Sequence, residues 1–173
     1  MRHALGFSTD KNLERPSVGM FYYCMTVIHS LVRFAMPVTV NTLNAENFRH
    51  SVAINNHELF TDLPKSLGGD DSAPSPHDYF DAALASCKAL TVRLYAQKKD
   101  IPLTGVTVEV THDAAEEQKG KYRLNVKLTL KGVLTDAQRD ELHRVADKCP
   151  VHKLMTTAEV SIETTLSEGA FSQ

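Results

Sequence analysis

The stretch from residue 75 to residue 99 constrains this chain most. Ser75-Pro76-His77-Asp78 puts a serine at a helix cap, a proline in the first turn and an acid three residues after the cap, where it answers the free amides. Phe80, Ala83, Leu84, Cys87, Leu90, Thr91 and Leu94 then recur at three and four residues, the period of one helical face. Asp100 and Pro102 end the run. The pattern predicts a helix to about residue 99, with Cys87 near the middle of a buried stripe. The small residues Ala82, Ala83, Ala85 and Ser86 let another backbone come close, and so apolar a helix is expected to need a second subunit to cover it.

A second thiol has a comparable setting. Thr135 and Gln138 form another capping box, and Leu142, Val145, Ala146 and Cys149 share one face of the helix that follows. Pro150 stops that helix and is suited to start the next, within the string Cys149-Pro150-Val151-His152-Lys153. A buried thiol is most often a small hydrophobe. Two of them meeting between packed helices, however, make a dithiol redox site in which one sulfur attacks and the other resolves. A free thiol of pKa about 8.5 is only about 3% thiolate at pH 7, and burial lowers that fraction, so a nearby cation is needed. Beside Cys149, His152, Lys153 and the fresh helix start all favour a thiolate, which leaves Cys149 as an alternative attacker.

The rest of the chain reads as strands around these helices. Residues 38–40, 51–54 and 58–61 alternate, the last two joined by the Asn55-Asn56 turn signal, and further strands are expected at 106–110, 122–130 and 159–164, before a fraying tail. Gly68-Gly69-Asp70-Asp71 lacks the ending of a phosphate loop and the spacing of a calcium loop, so it reads as a surface turn. Residues 1–36 do not share this patterning. Residues 18–36 are apolar, but His29 and Arg33 interrupt them and no cleavage pattern precedes Pro37. The expected organisation is an extension over 1–36, either a leader or an extra packed helix, with Cys24 incidental, and one domain over 37–173.

Composition narrows the function classes. With 173 residues and a formal net charge of -2, there is no basic excess for nucleic acid. Three widely spaced cysteines make neither a secreted disulfide framework nor a zinc site, so a reducing, cytoplasmic setting is expected, without a membrane span. His112, His143 and Glu109 form no convincing metal set, and no metal or cofactor is expected. Arg93, six residues after Cys87, falls on another face of the helix.

From about residue 54 to 166 the chain resembles the OsmC/Ohr proteins, in particular the OsmC-like branch. The resemblance rests on the hairpin, the GGDD loop, SPHDYFDAALASCKALTVRLYAQKK, PLTGVTVEV and GVLTDAQRDELHRVADKCPVHKLM, with two cysteines in register with the family's pair. It implies an α+β fold with antiparallel sheets and two long central helices, assembled as an intertwined homodimer with active sites at the subunit interface. It also implies thiol-dependent reduction of small organic hydroperoxides in oxidative stress defence. Cys87 would be the attacking cysteine and Cys149 the resolving one, joined in a redox-active disulfide that a dihydrolipoyl or thioredoxin-type dithiol reduces. The peroxidase members place a glutamate ten residues before the reactive cysteine and use an arginine from the loop upstream. Here those features are His77 and, across 61–75, only Lys65, so Arg49, Lys65, His77 and His152 are the candidates to support a thiolate. The alternative is a non-enzymatic member of the fold that binds an apolar ligand or senses oxidants at the dimer interface.

Overall fold

The computed structural model describes residues 37–167, so the expectations for residues 1–36, Cys24 included, and for the extreme tail lie outside the described residues. Five strands and three helices follow in order: β1 (Val38–Thr42), β2 (His50–Ile54), β3 (His57–Thr61), α1 (Pro76–Lys98), β4 (Leu103–Glu116), β5 (Lys121–Gly132), α2 (Asp136–Ala146) and α3 (Pro150–Thr156). This is an α+β fold. The described residues divide into one compact unit of residues 37–40 and 52–59 and another of 41–51 and 60–167. The first is built around the β2–β3 turn, where Asn55 takes the left-handed conformation (φ 55°) that a two-residue hairpin needs.

Two sheets form. The first has the order β1-β2-β3, and the second pairs β4 with β5 antiparallel. Alternation in β5 works as the sequence suggests, with one face wet: Glu109 lies opposite Lys127 in the register and its carboxylate meets the ammonium at 3.2 Å. Gly132 ends β5 at φ +140°, and a Cβ there would meet the Pro102 carbonyl oxygen at 2.2 Å, so glycine alone fits.

Both capping boxes form, Ser75 with Asp78 on α1 and Thr135 with Gln138 on α2. The core comprises Val92 and Ala96 of α1, Ile101, Leu103, and Leu142 and Ala146 of α2, with Val106, Leu128 and Leu130 of the β4–β5 sheet packed against it. Among the described residues, no helix is long and apolar enough to cross a membrane.

Two expectations are corrected. Of the expected stripe Phe80, Ala83, Leu84, Cys87, Leu90, Thr91 and Leu94 only Leu84 is buried, and the buried row of α1 is Asp81, Leu84, Lys88, Val92 and Ala96. Phe80, Leu90 and Leu94 are 44%, 69% and 52% exposed. The sheet and α2 cover the side of α1 where two charged groups find fixed partners, and the other side is left exposed by the described residues. Residues 159–164 form no strand and are exposed throughout. Among the described residues only α1 is long, at 23 residues against 11 for α2.

Candidate functional site

Cys149 ends up buried because Leu142, Val145 and Ala146 carry the α2 face inward and Pro150 turns the chain at that point. α1 packs against both α2 and α3, which brings the segment around Cys149 to the middle of α1. There the Cys87 side chain lies close enough to the Cys149 thiol to influence it. Both cysteines are free, Cys149 fully buried and Cys87 half-buried. Burial pushes the Cys149 thiol up from its ordinary pKa, and the neighbouring Cys87 side chain adds to this. The backbone N–H groups of His152 and Val151, at the start of α3, act in the opposite direction and do not prevail. Cys149 therefore holds its proton more firmly than an ordinary thiol does.

Lys88, directly after Cys87, carries the most telling geometry at the site. Its side chain is buried, yet its Nζ donates to the Ala146 carbonyl at 3.0 Å, to Asp147 Oδ1 at 3.1 Å and to His152 Nδ1 at 3.2 Å. Three donors thus meet three acceptors, as burial of an ammonium demands. The bond from Lys88 is the largest influence on Asp147 and holds its carboxyl below the ordinary range. By accepting at Nδ1, the His152 ring keeps its proton on Nε2. Lys88 also borders a cavity of ≈ 170 Å³ with Val126, Leu128, His143, Ala146 and Asp147. Sequence reasoning missed Lys88. The signal was present, because Leu84, Lys88, Val92 and Ala96 stand at successive fourth positions, a single row on a helix.

The other residues proposed to support a thiolate have different surroundings. Arg49 donates through Nη1 to the Ser72 carbonyl and hydroxyl oxygens, both at 2.8 Å, and lies 4.4 Å over the Phe60 ring. Ser72 in turn is held by Asp62, which accepts from its N–H at 3.0 Å and its hydroxyl at 2.7 Å; the bond to the Ser72 side chain is the main influence holding the Asp62 carboxyl low. Within this loop Gly69 passes so close to Leu63 that a Cβ would meet its carbonyl oxygen at 2.0 Å. Lys65 is exposed on a short 3-10 turn of the same loop. His77 pairs with Glu117 at 2.8 Å, and that hydrogen bond raises its pKa. The position where peroxidase relatives are expected to hold a glutamate thus carries a histidine that has recruited one from forty residues away.

A second polar cluster lies at the N-terminal end of the buried row of α1. Asp81 accepts from the Tyr122 hydroxyl at 3.2 Å and hydrogen-bonds His112 Nδ1 at 2.5 Å, while the His112 ring stacks on Tyr122. Burial, followed by the Asp81 charge, pushes the Tyr122 pKa up to about 12. Among the described residues, no three His, Cys, Asp or Glu side chains are grouped to hold a metal.

Comparison with known proteins gives a consistent picture. A family model described as OsmC-like protein matches residues 69–165, more than half of the chain. No curated protein is significantly similar in sequence. Solved structures similar to this chain include a putative osmotic stress induced and detoxification response protein from Psychrobacter arcticus 273-4. It is 28% identical, over 69% of this chain and 88% of its own, with a TM-score of 0.59. An OsmC-like protein from Mycoplasma pneumoniae is 20% identical, over 70% of this chain and 86% of its own, with a TM-score of 0.57. An organic hydroperoxide resistance protein OsmC from Legionella pneumophila is 23% identical, over 71% of this chain and 91% of its own, with a TM-score of 0.51. The family model spans both cysteine segments and the fold agrees with these structures: the chain belongs to the OsmC/Ohr family.

Proposed function

We propose that this protein is a thiol-dependent peroxidase for small organic hydroperoxides, working through Cys87 and Cys149. The observation that carries the reading is the seating of Cys149 against the middle of α1: Lys88, directly after Cys87, bonds to Ala146, Asp147 and His152 on either side of Cys149. Cys87, the more exposed of the two, attacks the outer peroxide oxygen as a thiolate; the O–O bond breaks, the alkoxide leaves as the alcohol and Cys87 becomes a sulfenic acid. The Cys149 thiol then condenses with it, forming the disulfide and releasing water. A dihydrolipoyl or thioredoxin-type dithiol returns both sulfurs to thiols by exchange. The raised pKa of Cys149 supports its part as resolver rather than attacker. Names of several solved relatives refer to organic hydroperoxide resistance, which agrees with this chemistry.

The working unit in this reading is an intertwined homodimer in a reducing, cytoplasmic compartment, with one domain over 37–173. The apolar side of α1 that the described residues leave exposed, and the unpaired stretch 159–164 with Val160 and Ile162 exposed, support a second copy. In the dimer the second long central helix is α1 of the partner copy.

A steady-state assay with an organic hydroperoxide and a dithiol reductant tests the function. Cys87→Ser should lower turnover by at least about a thousandfold. Cys149→Ser should complete one turnover and leave a Cys87 sulfenic acid that a dimedone-type probe traps. If Cys149→Ser loses the first turnover and Cys87→Ser keeps it, the roles are reversed. If the parent consumes no hydroperoxide, the enzyme reading falls and an apolar-ligand or oxidant-sensing role takes its place.

A further inference from the structure

We propose that Lys88 is a positioning residue that ties the segment around Cys149 to the helix bearing Cys87, and thereby sets how readily the two sulfurs join. The inference rests on the reading of Cys87 and Cys149 as a working pair, but not on peroxide being their oxidant. Lys88 follows Cys87 directly in the chain, and its three acceptors bracket Cys149 on both sides: Ala146 and Asp147 before it, His152 after it. Each bond ends on a different part of the α2–α3 joint: a backbone carbonyl at the last residue of α2, a carboxylate in the connection and an imidazole in α3.

The chemistry of the residue explains what this adds. Leu84, Val92 and Ala96 fill the rest of the row, and an unbranched apolar side chain at 88 would fill the same volume without desolvating a charge. What lysine supplies is direction, because three bonds to three fixed points hold the joint in place where apolar contact would let it slide. Disulfide formation within a protein is governed by the effective concentration of one sulfur at the other, and this falls steeply when the geometry loosens. The second buried charge of α1, Asp81, ties only to His112 and Tyr122 of the sheet and so has no hold on Cys149.

The test is equilibration of the full chain with reduced and oxidised glutathione, in which oxidised glutathione takes two electrons and two protons from the Cys87 and Cys149 thiols and two reduced glutathiones form. In Lys88→Met the equilibrium constant for the intramolecular disulfide should fall about tenfold, equivalent to about 30 mV for this two-electron couple. Lys88→Arg, which keeps the charge and the donors, should recover part of that loss. A purely structural role would lower the melting temperature of Lys88→Met and leave the equilibrium of the folded protein unmoved; a folded variant within about twofold of the parent overturns the proposal. Should Lys88→Met fail to fold, Asp147→Ala and His152→Ala remove the two more exposed ends of the tether, and each should lower the constant about threefold. No change in either overturns the proposal as well. A parent that forms the Cys87–Cys149 disulfide with glutathione but consumes no hydroperoxide removes the peroxidase reading and leaves the tether standing. A parent that forms no such disulfide overturns both.

Discussion

The two sides of α1 are inverted relative to what hydropathy alone would choose. The inner side carries Asp81 and Lys88 and is buried; the outer side carries Phe80, Leu90 and Leu94 and is exposed. The inner side tolerates its charges because each has partners at fixed distances: Lys88 on the α2–α3 joint and Asp81 on β4 and β5. The apolar groups of the outer side have no cover among the described residues. Burial here follows the availability of partners: charges with hydrogen-bond partners in reach go inside, and apolar groups without neighbours among the described residues stay exposed.

The widest expected effect comes from charging the outer side. In Leu90→Glu/Leu94→Glu, bringing like charges together across the proposed dimer should raise the dissociation constant by about a thousandfold. Sedimentation at micromolar concentration should show the parent as a dimer and this variant as a monomer. A parent that sediments as a stable, active monomer would end the idea that a second copy covers this side.

A smaller effect is expected on the inner side. Asp81→Ala removes one partner from a buried cluster and leaves the Tyr122 hydroxyl and His112 ring without their acceptor, a loss of about 3 kcal/mol in chemical unfolding. The glutathione equilibrium of the cysteine pair should stay within about twofold of the parent, because Asp81 ties to the sheet and not to the Cys149 joint. A comparable redox shift in Asp81→Ala and Lys88→Met would show that the inner side acts as one unit.

The smallest effect separates the two sulfurs. With its pKa raised in the folded state, Cys149 stays protonated at pH values where an ordinary thiol has begun to ionise. The sign for stability follows: the raised value contributes stability that is fully present below the unfolded thiol pKa and is lost as pH rises through the folded one. Alkylation by iodoacetamide, followed by mass mapping, should label Cys87 before Cys149, with the Cys149 rate rising only above the ordinary thiol range. If Cys149 is labelled first at neutral pH, the helix amides prevail over burial and Cys149 becomes the attacker.

Much of this was legible in the residues. Local chemistry carries its own signal, so the two capping boxes, the proline that opens α3, the hairpin at Asn55 and the inward face of Leu142, Val145, Ala146 and Cys149 all follow from neighbours within a few positions. The family register likewise singled out Cys87 and Cys149. The buried side of α1 was not legible, because hydropathy records every apolar face whether the chain itself or another copy covers it. His77 with Glu117, Asp81 with His112 and Lys88 with the α2–α3 joint join residues 31 to 64 positions apart. The sequence determined which helices form and which thiols they carry. Tertiary packing decided which side of α1 turns inward and which lysine meets the Cys149 joint, because burying a charge depends on acceptors that come within 3.2 Å only once the helices and sheet have docked.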